Sequence, residues 1–138
     1  MSGLLLDTVA VSAMRAPHRQ PARVQSWLSN LDLTACFISA LTWMEIETGI
    51  LKRRRTDRPQ ADLIDGWFRT ARIQFRWRTV PFDSAAAQAA APLWLMRSRG
   101  TVDTLIAATA LAGGFNLVTR NTRDFADIPG LTLINPWE

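Results

Sequence analysis

The chain is poor in the side chains that hold soft metals: it has one cysteine, Cys36, and one histidine, His18, among 138 residues. A single thiol cannot form an intramolecular disulfide, and one Cys with one His cannot build a four-ligand zinc site. A lone thiol suits a reducing compartment. Long hydrophobic runs are also missing. The most apolar stretch, Leu105 to Val118, is interrupted by Thr109, Gly113, Gly114 and Asn116 and is too short to span a bilayer. No basic segment precedes Leu4, and Asp7 breaks any signal-like run. A soluble, cytoplasmic protein with no membrane contact is expected.

Lysine is nearly absent. Fifteen of the 16 basic residues are arginine, Lys52 being the exception, and the net charge is +4. Arginine presents a planar fork that grips phosphate in two places. GC-rich codon usage would give the same excess, so the charge by itself favours an anionic partner only weakly.

What is present is a core. Hydrophobic residues make up 48% of the chain, enough for one compact domain over 1–138. No repeat, long linker or low-complexity tail is evident. Short apolar runs at Leu4 to Leu6, Ala35 to Ile38, Thr79 to Val80, Asn116 to Thr119 and Leu131 to Ile134 read as strands. Between them, helical spacing predicts helices over Val9 to Met14, Pro21 to Leu31, Ser39 to about Leu51, Gln60 to about Phe75, Asp83 to near Gly100, and Val102 to Ala112. Gly113 and Gly114 supply the last stop. Strands alternating with amphipathic helices define an α/β fold with a mainly parallel sheet.

Four of the 12 acids interrupt or border these core-like segments: Asp7, Glu45, Asp103 and Asp124. Buried carboxylates are rare unless paired or bound to metal. In open parallel sheets, sites form beyond the carboxyl ends of the strands. Asp7 ends the first strand, Asp124 follows the fourth, and Glu45 and Asp103 lie early in their helices. Helical phase puts Asp103 with Ile106, Ala107 and Ala110, and Glu45 with Leu41, Thr48 and Gly49. Two charges about 4 Å apart cost roughly 4 kcal/mol at an effective dielectric near 20. Such acids take up protons, meet cations or bind a hard oxygen-seeking ion. The plainer readings remain open: Asp7 as a helix cap, Glu45 as an exposed helix residue, Asp103 as a charge complementing a helix dipole, and Asp124 as an ordinary loop residue.

Six segments follow one another along the chain: Leu4-Leu5-Leu6-Asp7-Thr8, the run Ser39 to Ile50, Pro81-Phe82-Asp83, Asp103-Thr104-Leu105-Ile106-Ala107-Ala108-Thr109-Ala110, Leu117 to Phe125, and Asn135-Pro136-Trp137. In their order and spacing the chain resembles PIN-domain ribonuclease toxins of the VapC type, in their FitB-like branch. The resemblance implies a three-layer α/β/α fold with a five-stranded sheet in order 3-2-1-4-5. It also implies an endoribonuclease dependent on Mg²⁺ or Mn²⁺, acting on transfer or ribosomal RNA and inhibiting translation. Asp7, Glu45 and Asp103 map onto the acidic site, with Asp7 and Asp103 as metal ligands and Thr8, Thr119 and Asn121 in support. The fourth acidic position, which many relatives fill with Asp directly after Thr-Arg, is Asn121 here and falls to it or to Asp124 three residues later. The implied partners are a cognate antitoxin and a second copy of the chain, in a homodimer or a toxin–antitoxin hetero-oligomer.

Two departures stand out. Where relatives carry Asn two residues after the first Asp, this chain has Val9. The link Gly100-Thr101-Val102-Asp103 is shorter than usual. Both predict reduced activity, and Val9 favours the alternative of a PIN-like module that binds antitoxin and nucleic acid with little turnover. A DNA-directed nuclease of the same fold would carry the same acids. The basic run Arg53-Arg54-Arg55 is a candidate RNA contact, or else a solvated hairpin tip. Trp27, Trp67 and Trp94 fit core faces, whereas Trp43, off the Glu45 face, is assigned to a dimer or antitoxin surface.

Overall fold

The computed structural model describes residues 3–97 and 101–138. Five short strands form one parallel sheet: β1 Leu4–Leu6, β2 Cys36–Ser39, β3 Thr79–Val80, β4 Asn116–Val118 and β5 Leu133–Ile134. Their spatial order is β3-β2-β1-β4-β5, as the resemblance implied. Leu4, Leu5 and Leu6 lie opposite Cys36, Phe37 and Ile38 on one side and Asn116, Leu117 and Val118 on the other. A sheet covered on both faces needs apolar residues at successive positions, which explains runs without polar alternation. Leu6, Cys36, Ile38 and Val118 point into one core. Leu5 and Leu117 point into the other, with Phe37 and Leu133 packed against it.

Helices cover both faces. On the first lie α1 Thr8–Arg15, α2 Ala22–Ser29, α3 Ala40–Arg54 and α4 Arg58–Gln74. On the second lie α5 Ser84–Met96 and α6 Val102–Gly113. The starts are chemically specified. Asp7, Ser39, Asp57, Asp83 and Thr101 cap α1, α3, α4, α5 and α6 by accepting backbone N–H bonds. Gly114, at φ +69°, ends α6 in the left-handed conformation that glycine adopts at little cost.

The boundaries shift for local reasons. Helix α2 stops two residues before Leu31, because the Ser29 and Asn30 side chains both donate to the Ser26 carbonyl. Helix α3 runs on to Arg54, its basic last turn complementing the helix dipole. Strand β5 begins at Leu133, since only Leu117 and Val118 offer it partners. Helix α5 ends at Met96, and its expected continuation to Gly100 lies outside the described residues.

Two tryptophan assignments are corrected. Trp43 is 4% exposed; it lies in the first core, edge-on to Phe68, with its Nε1 donating to the Thr79 hydroxyl at 3.0 Å. It therefore lines no docking surface. The buried stripe of α3 is Thr42, Trp43, Ile46 and Ile50, so Glu45 stands at its edge and Thr48 and Gly49 are exposed. Trp94 is half-exposed on α5 rather than part of a core. Among the described residues, no helix is long and apolar enough to cross a membrane.

Candidate active site

The parallel register puts the carboxyl ends of β1, β2 and β4 level, since Leu6 lies beside both Ile38 and Val118. The next residues, Asp7, Ser39 and Thr119, therefore line one edge of the sheet. Asp7 keeps extended backbone angles and its N–H donates to the Val118 carbonyl at 3.0 Å. Alternation along an extended chain directs its side chain to the Leu5 face, which α6 covers. Thr119 continues β4 by donating its N–H to Ile134, and by the same parity it shares that face.

Asp7 is 5% exposed and accepts from the Ala10 N–H at 2.9 Å. It thus serves as the α1 cap that one plain reading allowed, and it also faces other acids. Burial pushes its carboxyl above the ordinary range. The Thr119 hydroxyl and the Ala10 N–H pull it down, while the nearby Asp103 charge pushes it up. Thr119, fully buried, also accepts the Asn121 N–H at 3.0 Å. The Thr119 hydroxyl beside Asp7 is thus itself fixed by the turn after β4.

Asp103 sits in the first turn of α6 and is half-buried. Burial raises its carboxyl, the Asp124 charge raises it further, and the Arg97 charge opposes both. Asp124 is exposed on a 3-10 turn, Thr122–Phe125, that is anchored by the buried Phe125. Asp103 and Asp124 line one cleft of about 270 Å³ with Arg97, Thr101 and Thr104. Glu45 is held differently, accepting the Thr8 hydroxyl at 2.5 Å. Thr8 directly follows Asp7, so this bond ties α3 to the same edge.

The acids thus form a chain of neighbours, Asp7 to Asp103 to Asp124, with Glu45 joined through Thr8. Among the described residues, no three acidic, histidine or cysteine side chains converge tightly enough to cage an ion. Asn121 contributes a backbone N–H, and its side chain is exposed. The arginine run is remote from this edge. Arg53 to Arg55 lie 8 to 10 residues beyond Glu45 along α3, or about 12–15 Å at the helical rise. Arg54 is engaged by Asp62 at 3.1 Å and Asp65 at 3.6 Å, while Arg53 and Arg55 are exposed.

Arg97 was not legible in the sequence. It has no motif and no periodic partner, and only the packing of α5 against α6 brings it to the acids.

The donor set fits a hard cation. It is all oxygen, and burial together with like charge has raised both Asp7 and Asp103, a strain that a cation relieves. Magnesium is commonly held by one or two carboxylates with waters completing its octahedron, so a three-carboxylate cage is not required.

Residues 4–131 match the family model described as the PIN domain, and the chain belongs to that family. Similar proteins extend over its whole length. It is 35% identical to the plasmid stability protein StbB of Pseudomonas syringae pv. tomato, over 98% of this chain and 99% of that one. It is 30% identical to the VapC ribonuclease Y4jK of Sinorhizobium fredii, over 98% of each. Among solved structures it superposes on FitAcB from Neisseria gonorrhoeae with a TM-score of 0.82 at 27% identity, covering 98% of this chain and 99% of that one.

Proposed function

We propose that the protein is a VapC-type ribonuclease toxin that hydrolyses RNA phosphodiester bonds with Mg²⁺ or Mn²⁺ and so inhibits translation. The observation carrying this reading is the placement of Asp7, 5% exposed, beside Asp103 at the carboxyl edge of a PIN sheet. The end-to-end similarity to a VapC ribonuclease supports it.

In this reading Asp7 and Asp103 hold the ion, and Thr119 and the Ala10 N–H orient Asp7. Glu45 keeps an oxygen free of Thr8 to accept a proton of the attacking water. Asp124 acts from the outer side of the cleft, and Asn121 lies on the turn that a phosphate would approach. A divalent cation bound there would supply charge stabilisation for the phosphate and a lower pKa for its water. The water oxygen bonds to phosphorus as the bond to the 3′ oxygen breaks; the departing 3′ oxygen takes a proton from solvent, leaving a 5′-phosphate and a 3′-hydroxyl. A cognate antitoxin is the partner that the VapC resemblance implies, and a basic side chain entering the acidic cleft would relieve the same repulsion. The protein would act in the cytoplasm, as a homodimer or within a toxin–antitoxin hetero-oligomer.

The test uses purified protein freed of any partner and a structured RNA. Cleavage should require Mg²⁺ or Mn²⁺. Cleavage that persists in EDTA, or unchanged in Asp7→Asn protein, would sink the mechanism. Sequencing the new 5′ ends in cells expressing the protein would identify the RNA.

A second reading, a PIN-like binding module with little turnover, is favoured by Val9. This side chain is 37% exposed on the first turn of α1, two residues after Asp7, and offers no polar atom. Titration with Mn²⁺ separates the two readings, because the module need not bind the ion.

A further inference from the structure

The turn bearing Asp124 is short, exposed and irregular, yet it holds a carboxylate beside Asp103. Its N–H donates locally to Asn121, and Phe125 plugs the second core. A third anchor comes from outside the turn. Arg97, at the end of α5, is 17% exposed in its side chain. Its guanidinium donates to the Thr104 hydroxyl at 3.2 Å, to the Asp124 backbone carbonyl, and to the Asp127 carboxylate at 3.4 Å. Thr104 is the neighbour of Asp103 on α6, and the second contact is on Asp124 itself. One planar fork therefore bridges the Thr104 hydroxyl, next to Asp103, and the Asp124 backbone carbonyl.

We propose that Arg97 is a positioning residue that clamps the Asp124 turn onto the start of α6 and sets the spacing of Asp103 and Asp124. This rests on the ribonuclease reading for its catalytic consequence but not for the clamp. Arginine suits the task because its planar fork reaches several acceptors at fixed angles. Its charge also offsets the repulsion between the two carboxylates. The spacing of such groups matters most in the transition state, so its loss should fall on kcat rather than KM.

The test compares wild-type, Arg97→Ala, Arg97→Lys and Arg97→Ala/Asp124→Asn proteins. Hydrogen exchange reads the clamp directly: Arg97→Ala should speed exchange in the segment 121–128 on the order of tenfold, with the sheet unaffected. Calorimetric Mn²⁺ affinity is read in Arg97→Lys, which keeps the charge and loses the fork, and should weaken on the order of tenfold. On RNA, kcat should fall on the order of 10- to 100-fold, with KM changed by less than about threefold. Lysine should restore only part, and added guanidinium should recover some activity of the alanine protein. The double variant should lose little more than its single parents. Unchanged exchange in Arg97→Ala, unchanged Mn²⁺ affinity in Arg97→Lys, or additive losses in the double variant would overturn the proposal. If wild-type protein cleaves no RNA, the ribonuclease reading falls, and exchange and Mn²⁺ binding still decide the clamp.

Discussion

Asp7 caps α1 and, in the proposed reading, also holds the ion, and a pair of substitutions should separate the two roles. Its carboxylate caps α1 through the 2.9 Å bond from Ala10 N–H, and it faces Asp103 from a site 5% exposed. Asparagine is as good a cap as aspartate but carries no charge, and alanine is neither cap nor ligand. Loss of the cap costs about 1 kcal/mol. At about 2.1 cal/mol/K per residue, the unfolding entropy of 138 residues is about 290 cal/mol/K, so 1 kcal/mol corresponds to about 3.5 °C in Tm. In EDTA, Asp7→Asn should therefore melt about 3–4 °C above Asp7→Ala, and no lower than wild type, because it removes a buried charge. Mn²⁺ at one hundred times its Kd should stabilise wild type by about 2.7 kcal/mol, or about 9 °C. Asp7→Asn should lose most of that rise, and its RNA cleavage should fall on the order of 100-fold or more. Differential scanning calorimetry with and without Mn²⁺ reads both effects. An Asn variant with the wild-type metal shift would refute the ligand role, and equal melting of the Asn and Ala variants in EDTA would refute the cap.

Three other outcomes are expected. Asp7 and Asp103 both have raised folded-state pKa values, so the folded chain holds their protons more tightly than the unfolded chain. Their contribution to stability is full below the ordinary carboxylate range and is lost as pH rises through the raised titrations. The melting advantage of Asp7→Asn/Asp103→Asn over wild type in EDTA should thus widen over that window, and a constant gap would contradict the cause assigned to the shifts. Trp43→Phe removes the buried bond to the Thr79 hydroxyl and should cost about 1–2 kcal/mol, or about 3.5–7 °C, with the Mn²⁺ response intact. Arg53→Glu/Arg55→Glu should weaken RNA binding and flatten its salt dependence by roughly 0.7 log units per lost phosphate contact, whereas unchanged binding would make the run a solvated face.

Much of the fold was legible because its signals are local. Polar residues at the helix starts, Gly114 at a helix end, and apolar runs too short for helices mark most elements within a few residues. Where boundaries moved, side chains competed for backbone carbonyls, as Ser29 and Asn30 do at the end of α2. Trp43 was misplaced because its helix was phased on Glu45, whereas the buried stripe runs one residue around from that position.

By itself, the sequence determined the fold family and which acids could carry the proposed chemistry. An all-oxygen set of acids in core-like segments, without the sulfur or imidazole of a zinc site, is what the proposed hard cation would need. Only the tertiary structure decided how those acids are held. Parallel register sets Asp7 beside Thr119, a hydroxyl on α1 fastens Glu45, and a guanidinium at the end of α5 braces the turn of Asp124. These relations join residues 27 to 112 positions apart in the chain, so no local periodicity encodes them. They arise when the strands align and the helix ends meet at one edge of the sheet.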